Sequence, residues 1–193
     1  MSDPRSRLLE ATLACIGRFG MAKTTVEDVA RLAGTSRASV YRYFPNGREQ
    51  LLSECITWEV GRFFTDLARE VDHAPDFATR LEWGLGRAHR SVAEHAVLQK
   101  VLETEPERFL PHLSLSGPLV VAVIRGYLQP FLEEEDLRPG VDPEAAADWL
   151  ARMILSFIVG QGSWDLADPA AVRALVRTQL LAGVLNDPPG DDD

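Results

Sequence analysis

Arg37, Ser39 and Arg42 project from one short helical run, Ser36 to Tyr43, with Tyr41 and Tyr43 interleaved. Side chains of these types hold polar and anionic partners rather than make or break bonds. An arginine pairs bidentately with guanine O6 and N7, and arginine, serine and tyrosine all donate to phosphate oxygens. Arg37, near the start of the run, is the candidate for reading a base edge; Tyr41 and Tyr43 are candidates for phosphate. A solvated helix face uses the same residue types, so these five positions alone leave both readings open. Catalytic patterns are missing from the sequence: it has no GxSxG, no phosphate-cradling glycine loop and no dinucleotide fingerprint. His73, His89, His95 and His112 follow no ligand spacing, and Cys15 and Cys55 sit in apolar helical patterns, as buried reduced thiols do. No enzyme activity, metal or cofactor is expected.

The elements that must position these residues lie between Thr24 and Arg48. Val26, Val29, Ala30 and Ala33 recur at helical spacing, and Thr24 or Thr25 with Glu27 or Asp28 three residues on forms a capping box. Gly34 supplies the left-handed turn that ends this helix. Ser36 then caps a second helix, whose inward residue is Val40. A small residue at the crossing (Ala30), a glycine in the turn and a β-branched plug (Val40) are what a helix-turn-helix requires. Any helical hairpin can show the same three.

The wider stretch resembles the DNA-binding region of the TetR family of bacterial transcriptional regulators. Thr24-Thr25 opens the second helix, Ala33-Gly34 makes the turn, and the recognition helix ends in Tyr41-Arg42-Tyr43-Phe44. The resemblance covers about Arg7 to Leu52. It departs from the family at Thr35, where a small apolar residue is usual, and after Phe44, where Pro45-Asn46-Gly47-Arg48 replaces the usual lysine and leaves Arg48 as its stand-in. The resemblance implies a DNA-contacting set of Lys23, Thr24, Thr25, Thr35, Ser36, Arg37, Ser39, Tyr41, Arg42, Tyr43 and Arg48.

Charge agrees with that expectation once it is divided. The chain of 193 residues carries a net −9, an unlikely total for a DNA binder. Residues 1–48 nevertheless hold eight basic against four acidic side chains, a net of +4, so the remainder carries −13. A basic head on an acidic body attracts phosphate while keeping the rest of the surface away from it. At 46% apolar and 25% charged, the composition is that of an ordinary globular protein. The start, MSDPRSRLLE, lacks a signal-peptide pattern, and no apolar run reaches the roughly 18 residues of a membrane span. A cytoplasmic protein with no membrane partner is expected.

The rest of the chain reads as helices throughout, so the expected fold class is all-α: a three-helix head over residues 1–48, a helical body over 49–185, and a disordered acidic tail over 186–193. Pro4 to Phe19 is a bracing helix. A long helix from Arg48 to about Val71, without a Gly/Ser/Pro linker, suggests rigid coupling of head to body. Further helices are expected from Asp76 to Glu94, from His95 to Glu103, and from Pro106, with Pro111 ending that one. Pro118 to Glu135 should form another, kinked or ended at Pro130, and Asp-Pro caps open two more, over residues 143–161 and 169–184.

The resemblance implies more for the body. Such bodies bind a small molecule between their helices, which makes Trp58, Phe63, Trp83, Phe109, Trp149, Met153 and Phe157 candidates for the wall of an apolar effector pocket; core filling is the preferred reading for each one singly, with some of them expected to line a cavity. Leu119, Ala122, Val123 and Gly126, with Val172, Leu175, Val176 and Gln179, resemble the two helices through which the family dimerises. A homodimeric repressor of a palindromic operator, released by a small apolar effector, is the function expected. The alternatives are an effector-independent regulator, an activator, or a helical binding or enzyme domain that keeps only the helix-turn-helix shape.

Overall fold

The computed structural model describes residues 3–160 and 162–186. Among them lie nine α-helices: α1 (Pro4–Phe19), α2 (Val26–Leu32), α3 (Arg37–Tyr43), α4 (Arg48–Val71), α5 (Phe77–Glu94), α6 (Ala96–Thr104), α7 (Pro106–Leu132), α8 (Pro143–Val159) and α9 (Pro169–Leu175). A π-helical turn, Val176–Leu180, follows α9 directly. The described residues contain no strand, and their one ladder contact is an isolated bridge between Leu137 and Leu185. The expected all-α class holds. The acidic tail, Asn186 apart, lies outside the described residues.

Helix starts follow the capping chemistry in the sequence. Asp3, Asp142 and Asp168 each precede a proline at the first helical position and accept from the backbone of Ser6, Ala145 and Ala170 at 3.3, 2.9 and 3.0 Å. His95 caps α6 through Nδ1, which accepts from the Leu98 N–H at 3.1 Å. Gly34, at φ 65°, ends the α2 turn, and the Thr35 N–H reaches back to the Ala30 carbonyl at 2.9 Å.

One expectation fails. Pro111 does not end a helix and Pro118 does not begin one, since α7 runs unbroken for 27 residues through Pro111, Pro118 and Pro130. An interior proline costs about 3 kcal/mol or more through its lost hydrogen bond and its clash. Burying Val120, Ile124, Leu128 and Leu132 along one stripe of α7 contributes roughly 1.5–3 kcal/mol each, which exceeds the cost of Pro130.

The chain forms two compact units. The first comprises Met1–Arg62 and Glu94–Gly117, so residues 49–62 and 94–117 join the head. Its core is built on Leu9, Ile16, Val29, Val40, Phe44 and Leu51. α1 packs on both α2 and α6, and α2 packs on α3. Cys15 and Cys55 are buried free thiols of this core; burial pushes the Cys55 thiol up to about 12. The second unit comprises Phe63–Ala93 and Pro118–Asp193. Leu128, Leu132, Leu150, Leu175, Val176, Leu180 and Leu181 are buried in it.

A candidate nucleic-acid interface

Helix α3 is seven residues long, too short to hold itself together in water. Three devices fix it. The Ser36 hydroxyl accepts from the Ser39 N–H at 3.1 Å and satisfies one of the open donors at the helix start. Val40, fully buried, plugs the crossing with α2, and Phe44 closes the C-terminal end with its N–H on the Val40 carbonyl at 2.9 Å. Gly47 turns the chain into α4 at φ 72°, where a Cβ would lie 3.2 Å from the Tyr41 ring.

With the inner side filled, the other side of α3 faces solvent. Thr35, Ser36, Arg37, Tyr41 and Arg42 are exposed, while Ser39 and Tyr43 are half-buried. Arg37 stacks over the Tyr41 ring at 5.9 Å and pairs with Glu27 on α2 at 2.7 Å. A hydrogen bond to Tyr41 and the charge of Glu27 hold its guanidinium above the ordinary arginine pKa. Arg42 stacks over Tyr43 at 5.1 Å. The two cations therefore stand on aromatic faces that restrict their rotamers, which lowers the entropy cost of engaging a partner.

The start of α2 adds a second cluster. Thr25 is its cap: the hydroxyl accepts from the Asp28 N–H at 3.1 Å and donates to the Asp28 carboxylate at 2.6 Å. That hydrogen bond, ahead of the nearby Arg31, holds the Asp28 carboxyl below its ordinary pKa. Lys23, two residues before the cap, is exposed. The open N–H groups of a helix start beside a lysine suit a phosphate oxygen.

Two residues of the expected contact set are turned elsewhere. Thr24 is 1% exposed, and its hydroxyl donates to the Gly20 carbonyl at 2.7 Å, which keeps its side chain from any ligand. Arg48 turns onto backbone carbonyls, donating from Nε to Thr24 at 2.8 Å and from Nη2 to Met21 and to Ala22 (3.3 Å for the latter). Residue type and spacing placed both on the head, but neither encodes which way a side chain turns. Glu27, paired with Arg37, was missed, because its position in the first turn of α2 reads as helix-start charge.

The body candidates are divided between the two units. Trp58 and Phe109 belong to the first unit, Phe109 as a buried core residue. In the second unit Trp83 and Trp149 are exposed, at 47% and 40%, whereas Phe63, Met153 and Phe157 are half-buried. Val172, Leu175 and Val176 are 0–3% exposed within the chain itself and so have no surface to offer a partner. An apolar stripe shows that a helix face is buried; it cannot show whether its own chain or another covers it. Leu119, Ala122, Gly126 and Gln179 are exposed and Val123 is half-buried. Among the described residues no group of histidine, cysteine or acidic side chains is arranged to hold a metal, and no helix is long and apolar enough to cross a membrane.

Comparison with known proteins meets this geometry at the head. Residues 8–55, which carry α1 to α3 and the start of α4, match the family model for bacterial regulatory proteins of the tetR family. An uncharacterised helix-turn-helix transcriptional regulator of Mycobacterium tuberculosis is 38% identical over 58 residues, which is 30% of this chain and 30% of that one. The match thus spans about a third of the relative's length. Across nearly the whole chain the fold is shared with AlkX, a TetR-family repressor of a Dietzia strain, at a TM-score of 0.66 and 21% identity over 90% of this chain and 94% of that one. It is also shared with FadR from Bacillus subtilis, solved in complex with stearoyl-CoA, at a TM-score of 0.56 and 16% identity over 92% and 98% of the two chains. These proteins are transcriptional regulators, not enzymes. Residues 8–55 thus match the DNA-binding region of the tetR family of bacterial regulatory proteins, and over nine-tenths of its length the chain shares the fold of a TetR-family repressor.

Proposed function

We propose that the protein is a homodimeric repressor whose two heads bind a palindromic operator and whose body takes up a small apolar effector. The observation that carries this reading is the capped, plugged α3, with Arg37, Tyr41 and Arg42 exposed, as is Lys23 before the start of α2. Arg37 reads a base edge. Lys23, Thr25, Thr35, Ser36, Ser39, Tyr41, Arg42 and Tyr43 hold backbone phosphates or buttress those that do. A seven-residue helix offers too few contacts for tight specific binding, and two-fold symmetry doubles them.

The second copy is placed on α7. Leu119, 44% exposed, Ala122 and Gly126 lie three and four residues apart on the face opposite the buried stripe, and the glycine allows close approach of helix axes. Gln179 extends the surface with a polar rim. For the effector, the FadR complex with stearoyl-CoA shows a protein of this fold holding a long apolar chain. The half-buried Phe63, Met153 and Phe157 are the aromatic and thioether side chains such a ligand would meet.

Selection of bound sequences from random DNA tests the reading. It should return a palindrome, and Arg37→Ala should weaken binding to it by about 1–3 kcal/mol while relaxing preference at one symmetric base position. A selection with the variant that returns an unaltered preference would leave Arg37 as a phosphate contact at most. Lys23→Ala should lower affinity for every sequence alike and flatten the slope of log K against log salt by about 0.9 per protomer. An unchanged slope would remove Lys23 from the interface.

A further inference from the structure

Between α1 and α2 the chain makes a five-residue turn, Gly20 to Thr24, that delivers Lys23 and the Thr25 cap to the proposed interface. Polar side chains from two distant segments hold this turn. The Glu105 carboxylate, at the end of α6, accepts from the Ala22 N–H at 2.7 Å across 83 residues of sequence. The Arg48 guanidinium, at the start of α4, donates to the carbonyls of Met21, Ala22 and Thr24. Gly20, at φ 86°, admits the carboxylate: a Cβ there would lie 2.2 Å from Glu105 Oε1. The Glu105 side chain is 15% exposed and that of Arg48 31%. α6 is itself fastened to the end of α1, with Lys100 Nζ on the Gly17 carbonyl at 2.7 Å.

We infer that Glu105 and Arg48 are positioning residues for DNA recognition, a carboxylate–guanidinium clamp that fixes the turn bearing Lys23 and hence the approach of α2 and α3 to the major groove. The inference rests on the DNA-binding function proposed above. It takes Arg48 out of the phosphate-contacting set, since its Nε and Nη2 already face carbonyls and its Nη1 the Glu49 carboxylate, and it assigns a role to Glu105, which touches no DNA in this scheme. The turn has one backbone N–H and three carbonyls satisfied by these two side chains. Leaving them to water lets Lys23 and the α2 start sample several arrangements, only some of which fit a phosphate.

The test compares Glu105→Ala, Glu105→Gln, Arg48→Ala and Arg48→Lys in the full chain, below the melting temperature of each variant. The probes are a fixed palindromic fragment taken from the wild-type selection and amide exchange at Ala22. Glu105→Ala and Arg48→Ala should each lower affinity on the order of tenfold, with the salt slope unchanged. Glu105→Gln keeps an acceptor for the Ala22 N–H and should restore affinity to within about twofold, and Arg48→Lys should recover part of the loss. Ala22 should exchange at least about tenfold faster in Glu105→Ala than in wild type or Glu105→Gln.

A slope that falls by about 0.9 per protomer in Arg48→Ala would make Arg48 a phosphate contact and overturn the clamp. Equal losses in Glu105→Ala and Glu105→Gln, with Ala22 exchange unmoved, would overturn it too. If wild type bound no DNA while Ala22 stayed protected by Glu105, the clamp would stand as a contact and the DNA-binding reading would be what had failed.

Discussion

Val176→Asp should abolish the fold rather than the assembly. Val176 is fully buried within its own chain at the junction of α9 and the π-helical turn, among Leu175, Leu180 and Leu181, which are buried to the same extent. The nearby guanidiniums of Arg173 and Arg177 already face the Glu82 carboxylate, at 3.7 and 2.9 Å. A new carboxylate at position 176 would be uncompensated in an apolar site, at a cost of about 3–5 kcal/mol. That is a large part of the roughly 5–15 kcal/mol by which a folded domain is stable. Circular dichroism should show the helical signal lost or sharply destabilised, with aggregation in light scattering. A folded, fully helical monomer would instead place Val176 in a subunit seam.

Phe44→Ala is the counterpart in the head. Phe44 is the largest fully buried side chain among the described residues, it terminates α3, and Arg5 lies over its ring at 5.6 Å. Truncating such a ring costs about 3–5 kcal/mol through lost transfer energy and the cavity left behind. In a chain of this length that corresponds to a fall in Tm of roughly 6–20 °C. DNA binding should fail at a temperature at which wild type still binds, and should return on cooling. Calorimetry and binding measured over the same temperature range check this; unchanged melting would mean that Phe44 is not the closing residue of α3.

Much of this architecture is legible in the sequence, because helix boundaries are written in local chemistry. Thr25, Ser36, Asp142 and Asp168 cap the helices they precede, and Gly34 ends α2 in the left-handed conformation its sequence position requires. α7 was misread because proline is a strong local signal, while the buried stripe that carries the helix through Pro130 acts over many residues. Within the site, the exposure of Arg37, Tyr41 and Arg42 followed from helical spacing around Val40. The inward turn of Thr24 and the carbonyl contacts of Arg48 did not, since each depends on backbone groups whose placement only the folded turn defines. Glu105 was beyond reach for the same reason, its partner lying 83 residues away. Val172, Leu175 and Val176 show the limit of periodicity, which identifies a buried face without saying what buries it.

The most direct test of the account is a titration of the full-length protein against the selected palindrome over a range of salt concentration. Two protomers should bind each fragment, with log K falling linearly in log salt at a slope of at least about −4, the value for two or more phosphate contacts per head. A scrambled fragment should bind at least about a thousandfold more weakly at physiological salt. Equal affinity for palindrome and scramble, or binding that does not respond to salt, would contradict a sequence-reading head built on α3.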